Sequence, residues 1–128
     1  MTQSILIVED HPAVRASLLY WMGVVFPGCK LLEAKSGEEA VTLACAQPPD
    51  VVLMDLGLPR MNGMEATRRL KAIAPQAQVV IVTLLEGEAL RADAAAAGAC
   101  AYVPKRTLLT DLLPTLSTLL RPSNGLAR

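Results

Sequence analysis

Several side chains able to do chemistry stand directly behind apolar runs in this sequence. Ile5 to Val8 is followed by Glu9 and Asp10, Val51 to Met54 by Asp55, and Val79 to Val82 by Thr83. A weaker run, Ala99 to Val103, is followed two residues later by Lys105. Three carboxylates brought within a few ångströms repel, so such a group raises its own pKa values or collects a cation. Three carboxylates, one ammonium and one divalent ion sum to neutrality. Mg²⁺ suits such a site because it is hard, prefers carboxylate oxygen and keeps water and phosphate oxygens in its shell. A neutralised cluster with a hydroxyl and an ammonium fits phosphoryl transfer, which needs an in-line nucleophile, a metal and donors for the developing charge. In that chemistry Asp55 is the nucleophile and forms an aspartyl phosphate. Glu9 and Asp10 hold the metal, and Thr83 and Lys105 bind phosphoryl oxygens. Taken alone, an Asp closing a strand is ordinarily a turn former, Thr83 a satisfied strand-end hydroxyl and Lys105 a solvated charge. The joint pattern is what carries the reading.

The elements that must position these groups are visible in the spacing. Continuous, β-branched runs at Ile5 to Val8, Val51 to Met54 and Val79 to Val82 read as strands of a parallel sheet buried on both faces. Leu31 to Ala34 and Ala99 to Val103 complete a set of five. Between them, Val14, Leu18, Met22 and Val25 line one face of a helix. Ser36 with Glu39 reads as a capping box. Asn62 with Glu65 opens a third helix running through Ala66, Leu70 and Ile73 until Pro75. A fourth helix, from about Gly87 through alanines 94–97, stops at Gly98 in a left-handed cap. The fifth takes Thr107 as cap and Leu109, Leu112, Leu113, Leu116 and Leu120 as its buried face, and with Pro114 inside it must bend or begin later. Strands alternating with helices predict a single-domain α/β fold, a (βα)5 doubly wound parallel sheet of flavodoxin-like type, with right-handed crossovers and helices on both faces. In such a sheet the working site lies outside the C-terminal strand ends, where the chemical groups sit. The expected domain spans residues 1–120, with 121–128 a tail or linker remnant of Pro, Ser, Asn and Gly composition.

Composition removes other classes of function. The chain has 128 residues, 52% apolar, with 12 Lys+Arg against 12 Asp+Glu, and a formal net charge of zero. That length buries a core without staples. Zero net charge removes the basic field behind non-specific nucleic-acid binding and gives no pull toward anionic membranes. Aromatic residues, 3% of the chain, leave few platforms for stacking bases. No apolar run approaches the ~18 residues of a membrane span, and the N-terminus meets two carboxylates where a secretion signal would not. A cytoplasmic location is therefore expected. Cys29, Cys45 and Cys100, with one histidine, support neither a zinc site nor a disulfide framework and read as small buried thiols. His11 reads as a loop residue packing on the next helix, with metal ligation or pH sensing as the rival. Arg15, Arg68, Arg69, Lys71 and Arg91 read as solvated helix faces, and Tyr102 as a partly exposed sheet-edge residue.

From about Ser4 to Leu120 the sequence resembles the receiver domain of two-component response regulators. The resemblance lies in ILIVEDHPAVR, VVLMDLGLPRMNGMEATRRL, VVIVTLL and AYVPK. The Glu-Asp-His-Pro opening and the Asp-Leu-x-x-Pro-x-x-Asn-Gly-Met stretch resemble the NarL/FixJ/LuxR-type subclass, whose regulators carry a C-terminal helix-turn-helix. The resemblance implies that a histidine kinase donates a phosphoryl group to Asp55, and that the main chain of Gly57 adds a metal ligand beside Glu9, Asp10 and Asp55. It implies that Thr83 moves toward the phosphate with Tyr102 turning inward behind it. The surface of the fourth helix, fifth strand and fifth helix then changes for a partner or homodimer; the first and fifth helices are the other candidate dimer face. Glu9 stands where the family more often has Asp, and its extra methylene favours metal contact through water. Leu84 stands where a small residue is usual and, with Leu85, limits access to the site. Gly57 and Leu85 offer no polar side chain to orient a hydrolytic water, so the acyl phosphate is expected to be long-lived and small phosphodonors slow. Three rivals share the fold class: a phosphorylation-independent docking module, a haloacid-dehalogenase-type phosphohydrolase and a flavin or nucleotide binder. The phosphohydrolase would want a carboxylate where Gly57 stands, and a nucleotide binder a Gly-rich phosphate loop that is absent. No small-molecule turnover is expected.

Overall fold

The computed structural model describes residues 2–120. It holds five parallel strands, β1 Ser4–Val8, β2 Lys30–Ala34, β3 Val51–Met54, β4 Gln78–Thr83 and β5 Ala101–Pro104, the β-branched runs forming β1, β3 and β4. They lie in the order β2-β1-β3-β4-β5. The helices are α1 Pro12–Val25, α2 Gly37–Ala46, α3 Gly63–Ile73, α4 Glu88–Ala97 and α5 Leu108–Leu119, the last preceded by a 3-10 turn over Lys105–Thr107. The doubly wound α/β fold expected from the sequence is the one observed. β5 starts two residues later than its apolar run suggests and extends to Pro104.

Alternation along each strand splits the core in two. Leu6, Val8, Val52, Met54, Val79 and Ile81 face the small residues of α2, α3 and α4, among them Ala40, Ala44, Ala66 and Ala94. Ile5, Ile7, Val51, Leu53, Val80 and Val82 face Leu18 and Met22 of α1 and Leu112 and Leu116 of α5. Burying an Ile, Leu or Val side chain contributes about 1.5–3 kcal/mol, so each helix is held mainly by these contacts and not by propensity.

The helix ends follow the sequence with informative departures. The Ser36 hydroxyl accepts from the Glu39 N–H at 3.0 Å, but Glu39 Oε1 reaches the N–H of Lys35 and not of Ser36. Asn62 caps α3 through the Glu65 N–H at 2.9 Å. Gly98 closes α4 at φ +114°, the left-handed region that favours glycine. Thr107 does not cap α5; its hydroxyl donates to the Pro104 carbonyl. α5 begins at Leu108 with Pro114 inside it, so it does not begin later. Pro114 and Thr110 are both exposed, and water can take the carbonyl that the missing N–H frees. Three positions of the expected apolar stripes lie outside the core: Val25 at 36%, Ile73 at 41% and Leu109 at 80% exposure. The stripes run past the edges of the sheet they cover. Cys45 and Cys100 are exposed and Cys29 half-buried, so the thiols are not the buried set expected. The predicted tail, residues 121–128, lies outside the described residues.

Gly63 bears directly on the site. A Cβ there would collide with the Asp55 carbonyl oxygen and lie 2.7 Å from Leu56 Cα, both backbone atoms that cannot yield cheaply. Gly63 also donates its N–H to the Leu56 carbonyl at 3.1 Å, locking α3 onto the end of β3. Gly63→Ala is expected to cost about 3 kcal/mol by displacing the chain at Asp55. A denaturant midpoint equal to the parent's would contradict this close approach.

Candidate functional site

Strand register sets the geometry. Val8 of β1 pairs with Met54 of β3, so the residues after them, Glu9 and Asp55, leave the sheet side by side. This is the point where strand order reverses, the usual location of a site in an open α/β sheet. The Glu9 N–H continues the ladder to the Ala34 carbonyl at 3.1 Å, and the Asp55 N–H to the Val8 carbonyl at 3.2 Å. Glu9 is 2% and Asp55 8% exposed, while Asp10 faces solvent. One carboxylate oxygen from each of Glu9, Asp10 and Asp55 lies within 4.8 Å of the other two.

Lys105 enters from two strands away on its four-carbon stem. Its Nζ lies 2.7 Å from Glu9 Oε1 and 3.2 Å from Asp55 Oδ2. Burial pushes the ammonium's pKa down, but the hydrogen bond to Glu9 and the charges of Asp55 and Glu9 outweigh it and hold it above the ordinary lysine value. The remaining oxygens are met by backbone: Asp55 Oδ1 accepts from the Gly57 N–H at 3.1 Å and Glu9 Oε2 from the His11 N–H at 3.2 Å. His11 joins the site through its main chain, as a loop residue at the cap of α1, and its side chain is exposed where packing on that helix was expected.

The cluster therefore carries three carboxylates against one ammonium. An all-oxygen donor set with a surplus of two negative charges and one solvent-facing member fits a small hard divalent cation. Asp10 makes no hydrogen bond or ion pair within the described residues, so its charge is repulsive in metal-free protein. Asp10→Asn is expected to raise the metal-free melting temperature by a few degrees and to cancel any stabilisation by added Mg²⁺. Thermal melts with and without Mg²⁺ check this, and a lowered metal-free melting temperature would contradict it.

Thr83 is fully buried, and its Oγ1 accepts from the Leu85 N–H at 3.3 Å. The Leu85 carbonyl in turn accepts from the Tyr102 hydroxyl at 2.6 Å. One peptide segment thus links Thr83 at the end of β4 to Tyr102 on β5. Burial raises the Tyr102 pKa despite Arg91, whose guanidinium stands 4.6 Å from the ring centroid, so the phenol stays a donor. Leu84 and Leu85 are 73% and 47% exposed.

Glu9, Asp10, Asp55 and Lys105 are thus brought together, with Gly57 on Asp55, while Thr83 and Tyr102 form an adjoining pair tied by Leu85. Sequence reading missed three interactions. Arg15 is no solvated charge: its side chain is 14% exposed, with Nη1 donating to the Glu9 carbonyl at 2.9 Å. Arg106 forks onto Glu86 at 2.7 and 3.0 Å across the loop after β4. Gly63 supports Asp55 from beneath. Lys71 and Arg91 also have partners, the former donating to the carbonyls of Pro75 and Ala77.

Comparison with known proteins gives a consistent set of relatives. Residues 5–117 match the family model described as the response regulator receiver domain. Over 101 residues the chain is 39% identical to the transcriptional activator protein ExaE of Pseudomonas putida, covering 79% of this chain and 47% of the relative. It is 34% identical over 113 residues to the response regulator GacA of Pseudomonas aeruginosa, covering 88% and 52%. The chain thus spans about half the length of these curated relatives. Among solved structures it resembles a LuxR-family two-component response regulator from Aurantimonas sp. SI85-9A1, with a TM-score of 0.85 and 34% identity over 92% of this chain and 84% of that one. It also superposes on the Vibrio cholerae chemotaxis protein CheY4, with a TM-score of 0.82 over 94% and 100% of the two chains, a likeness in fold at 22% identity.

Proposed function

The chain belongs to the response regulator receiver domain family, and from that premise we propose that Asp55 accepts a phosphoryl group from a histidine kinase with the help of Mg²⁺. The observation that carries the proposal is the Asp55 carboxylate, nearly buried, touched by Lys105 and clustered with Glu9 and Asp10. An Asp55 oxygen attacks phosphorus; the new P–O bond forms as the P–N bond breaks, and the imidazole leaves with its proton. Glu9, Asp10, Asp55 and the main chain of Gly57 would hold Mg²⁺, which when bound supplies charge neutralisation at the phosphoryl oxygens. Lys105 donates to one of those oxygens. Thr83 Oγ1 already accepts from Leu85, so its proton is free for another.

Acylation replaces one carboxylate charge with a phosphoryl group of about −1.5 to −2 and adds strong acceptors. Movement of Thr83 toward them pulls on the Leu85 segment and so on the Tyr102 hydroxyl, changing the surface of α4, β5 and α5. For self-association the α1–α5 and α4–β5–α5 faces are the two candidates; Tyr20 and Val24 are exposed on α1 and Leu109 on α5. In this reading residues 1–120 are the receiver, and the domain is a cytoplasmic signalling switch without small-molecule turnover. No helix among the described residues is long and apolar enough to cross a membrane.

Intact mass after incubation with Mg²⁺ and a phosphodonor tests the proposal. A gain of about 80 Da, the phosphoryl mass, is expected, and no gain from any phosphohistidine donor would contradict it. Gly57 and Leu85 supply no polar group to a hydrolytic water, so the adduct is expected to outlast the separation of protein from donor. Loss within seconds in purified protein with Mg²⁺ would overturn the lifetime and leave the acceptor role standing.

A further inference from the structure

Arg15 lies on the first turns of α1, yet its side chain is only 14% exposed. Its Nε donates to Glu33 Oε1 on β2 at 3.0 Å and its Nη1 to the Glu9 carbonyl at 2.9 Å. That carbonyl lies past the last paired residue of β1, and Glu9 is 2% exposed, so without Arg15 an acceptor at the base of the site loses its partner. Glu9 is a hub. Its N–H is held by β2, its carbonyl by Arg15, and its carboxylate by the His11 N–H and the Lys105 ammonium. A continuous line of polar contacts therefore crosses the sheet edge from Glu33 through Arg15, Glu9 and Lys105 to Asp55. Arg15 is paired with Glu33, so much of its charge is cancelled as seen from the acids; its fork remains as a fixed geometric link.

We infer that Arg15 is a positioning residue for the cation-holding acids, fixing the Glu9–Asp10 peptide so that both carboxylates converge with Asp55. The inference rests on the phosphoryl-accepting reading and deepens it. Two effects of removing Arg15 oppose one another. Loss of a nearby positive charge tightens cation binding, whereas loss of the fork frees the peptide and weakens it. Residues that hold ligands in place commonly govern metal affinity by 10–100-fold, and the neutralising Glu33 reduces the charge effect.

Calorimetric titration of the full chain with Mg²⁺ alone tests this on wild type, Arg15→Met, Arg15→Lys and Asp10→Asn, with metal-free melting curves recorded beside it. Both Arg15 variants are expected to weaken Mg²⁺ binding about tenfold, the Lys variant included, because a single ammonium cannot reproduce the fork. Phosphorylation at saturating Mg²⁺ is expected to stay within about twofold of wild type, placing the effect on binding. Arg15→Lys keeps stem and charge and carries the result should Arg15→Met melt below the assay temperature. Tighter binding by Arg15→Met with wild-type binding by Arg15→Lys would make Arg15 a repelling charge only and overturn the inference, as would unchanged affinity in both. If Asp10→Asn loses Mg²⁺ while both Arg15 variants keep it, the role of Arg15 alone fails. If Asp10→Asn binds like wild type, the acidic site is misassigned and the inference falls with it.

Discussion

Asp55→Asn is expected to abolish the mass gain of about 80 Da that the parent acquires with Mg²⁺ and a phosphodonor. The substitution keeps the size of the side chain and can keep one acceptor for the Gly57 N–H, so the fold should survive. What it removes is the nucleophile: an amide has no anionic oxygen to attack phosphorus. The loss should be complete, because Glu9 is only 2% exposed and Asp10 lacks the Lys105 contact that Asp55 has. An adduct of equal yield in Asp55→Asn would mean that another residue is modified.

The second large effect is expected from Lys105→Met. The Lys105 side chain is 14% exposed and bridges Glu9 and Asp55, whose side chains are 3% and 11% exposed. Without the ammonium, two nearly buried carboxylates face each other uncompensated. Removing one partner of a fully buried pair costs about 3–5 kcal/mol; with solvent reaching this site past Asp10, about 2 kcal/mol is expected in metal-free buffer at neutral pH. Added Mg²⁺ should restore part of it, since a divalent cation replaces the missing charge. Phosphorylation should fall sharply even when the protein is stabilised, because the donor to the transferring group is gone. The pH dependence has a definite sign. The Lys105 pKa is raised on folding, so its contribution is fully present below the ordinary lysine value and lost as pH rises through the higher folded value. The stability gap between parent and Lys105→Met should hold from neutral pH to about 10 and close only above that. A gap that closes on acidification through pH 8 would contradict the assignment.

The strands and the residues at their ends were legible because a sheet covered on both faces demands continuous apolar runs, and a run ends where chemistry can begin. The caps at Asn62 and Gly98 were legible because each satisfies orphan backbone groups through a local rule. Arg15 was not. On helical periodicity it is one more polar residue, and its partners, Glu9 and Glu33, become neighbours only when β1 pairs with β2. Gly63 was hidden for a similar reason, since the atoms a Cβ would strike belong to the end of β3. The exposure of Val25, Ile73 and Leu109 reflects the reach of the sheet, which the period of a helix does not encode. Thr83 was placed at the correct strand end, but its bond to Leu85 and the onward link to Tyr102 depend on how the following loop folds back.

The central claim is that Asp55 itself carries the phosphoryl group. Borohydride reduces an acyl phosphate to an alcohol and leaves a free carboxylate intact, so it marks the modified residue permanently. Reduction of the phosphorylated chain, followed by peptide mass sequencing, is expected to show the alcohol at position 55 and nowhere else, with yield depending on Mg²⁺. A reduced residue at position 9 or 10, or an intact Asp55 in protein that carries the phosphoryl mass, would contradict the account.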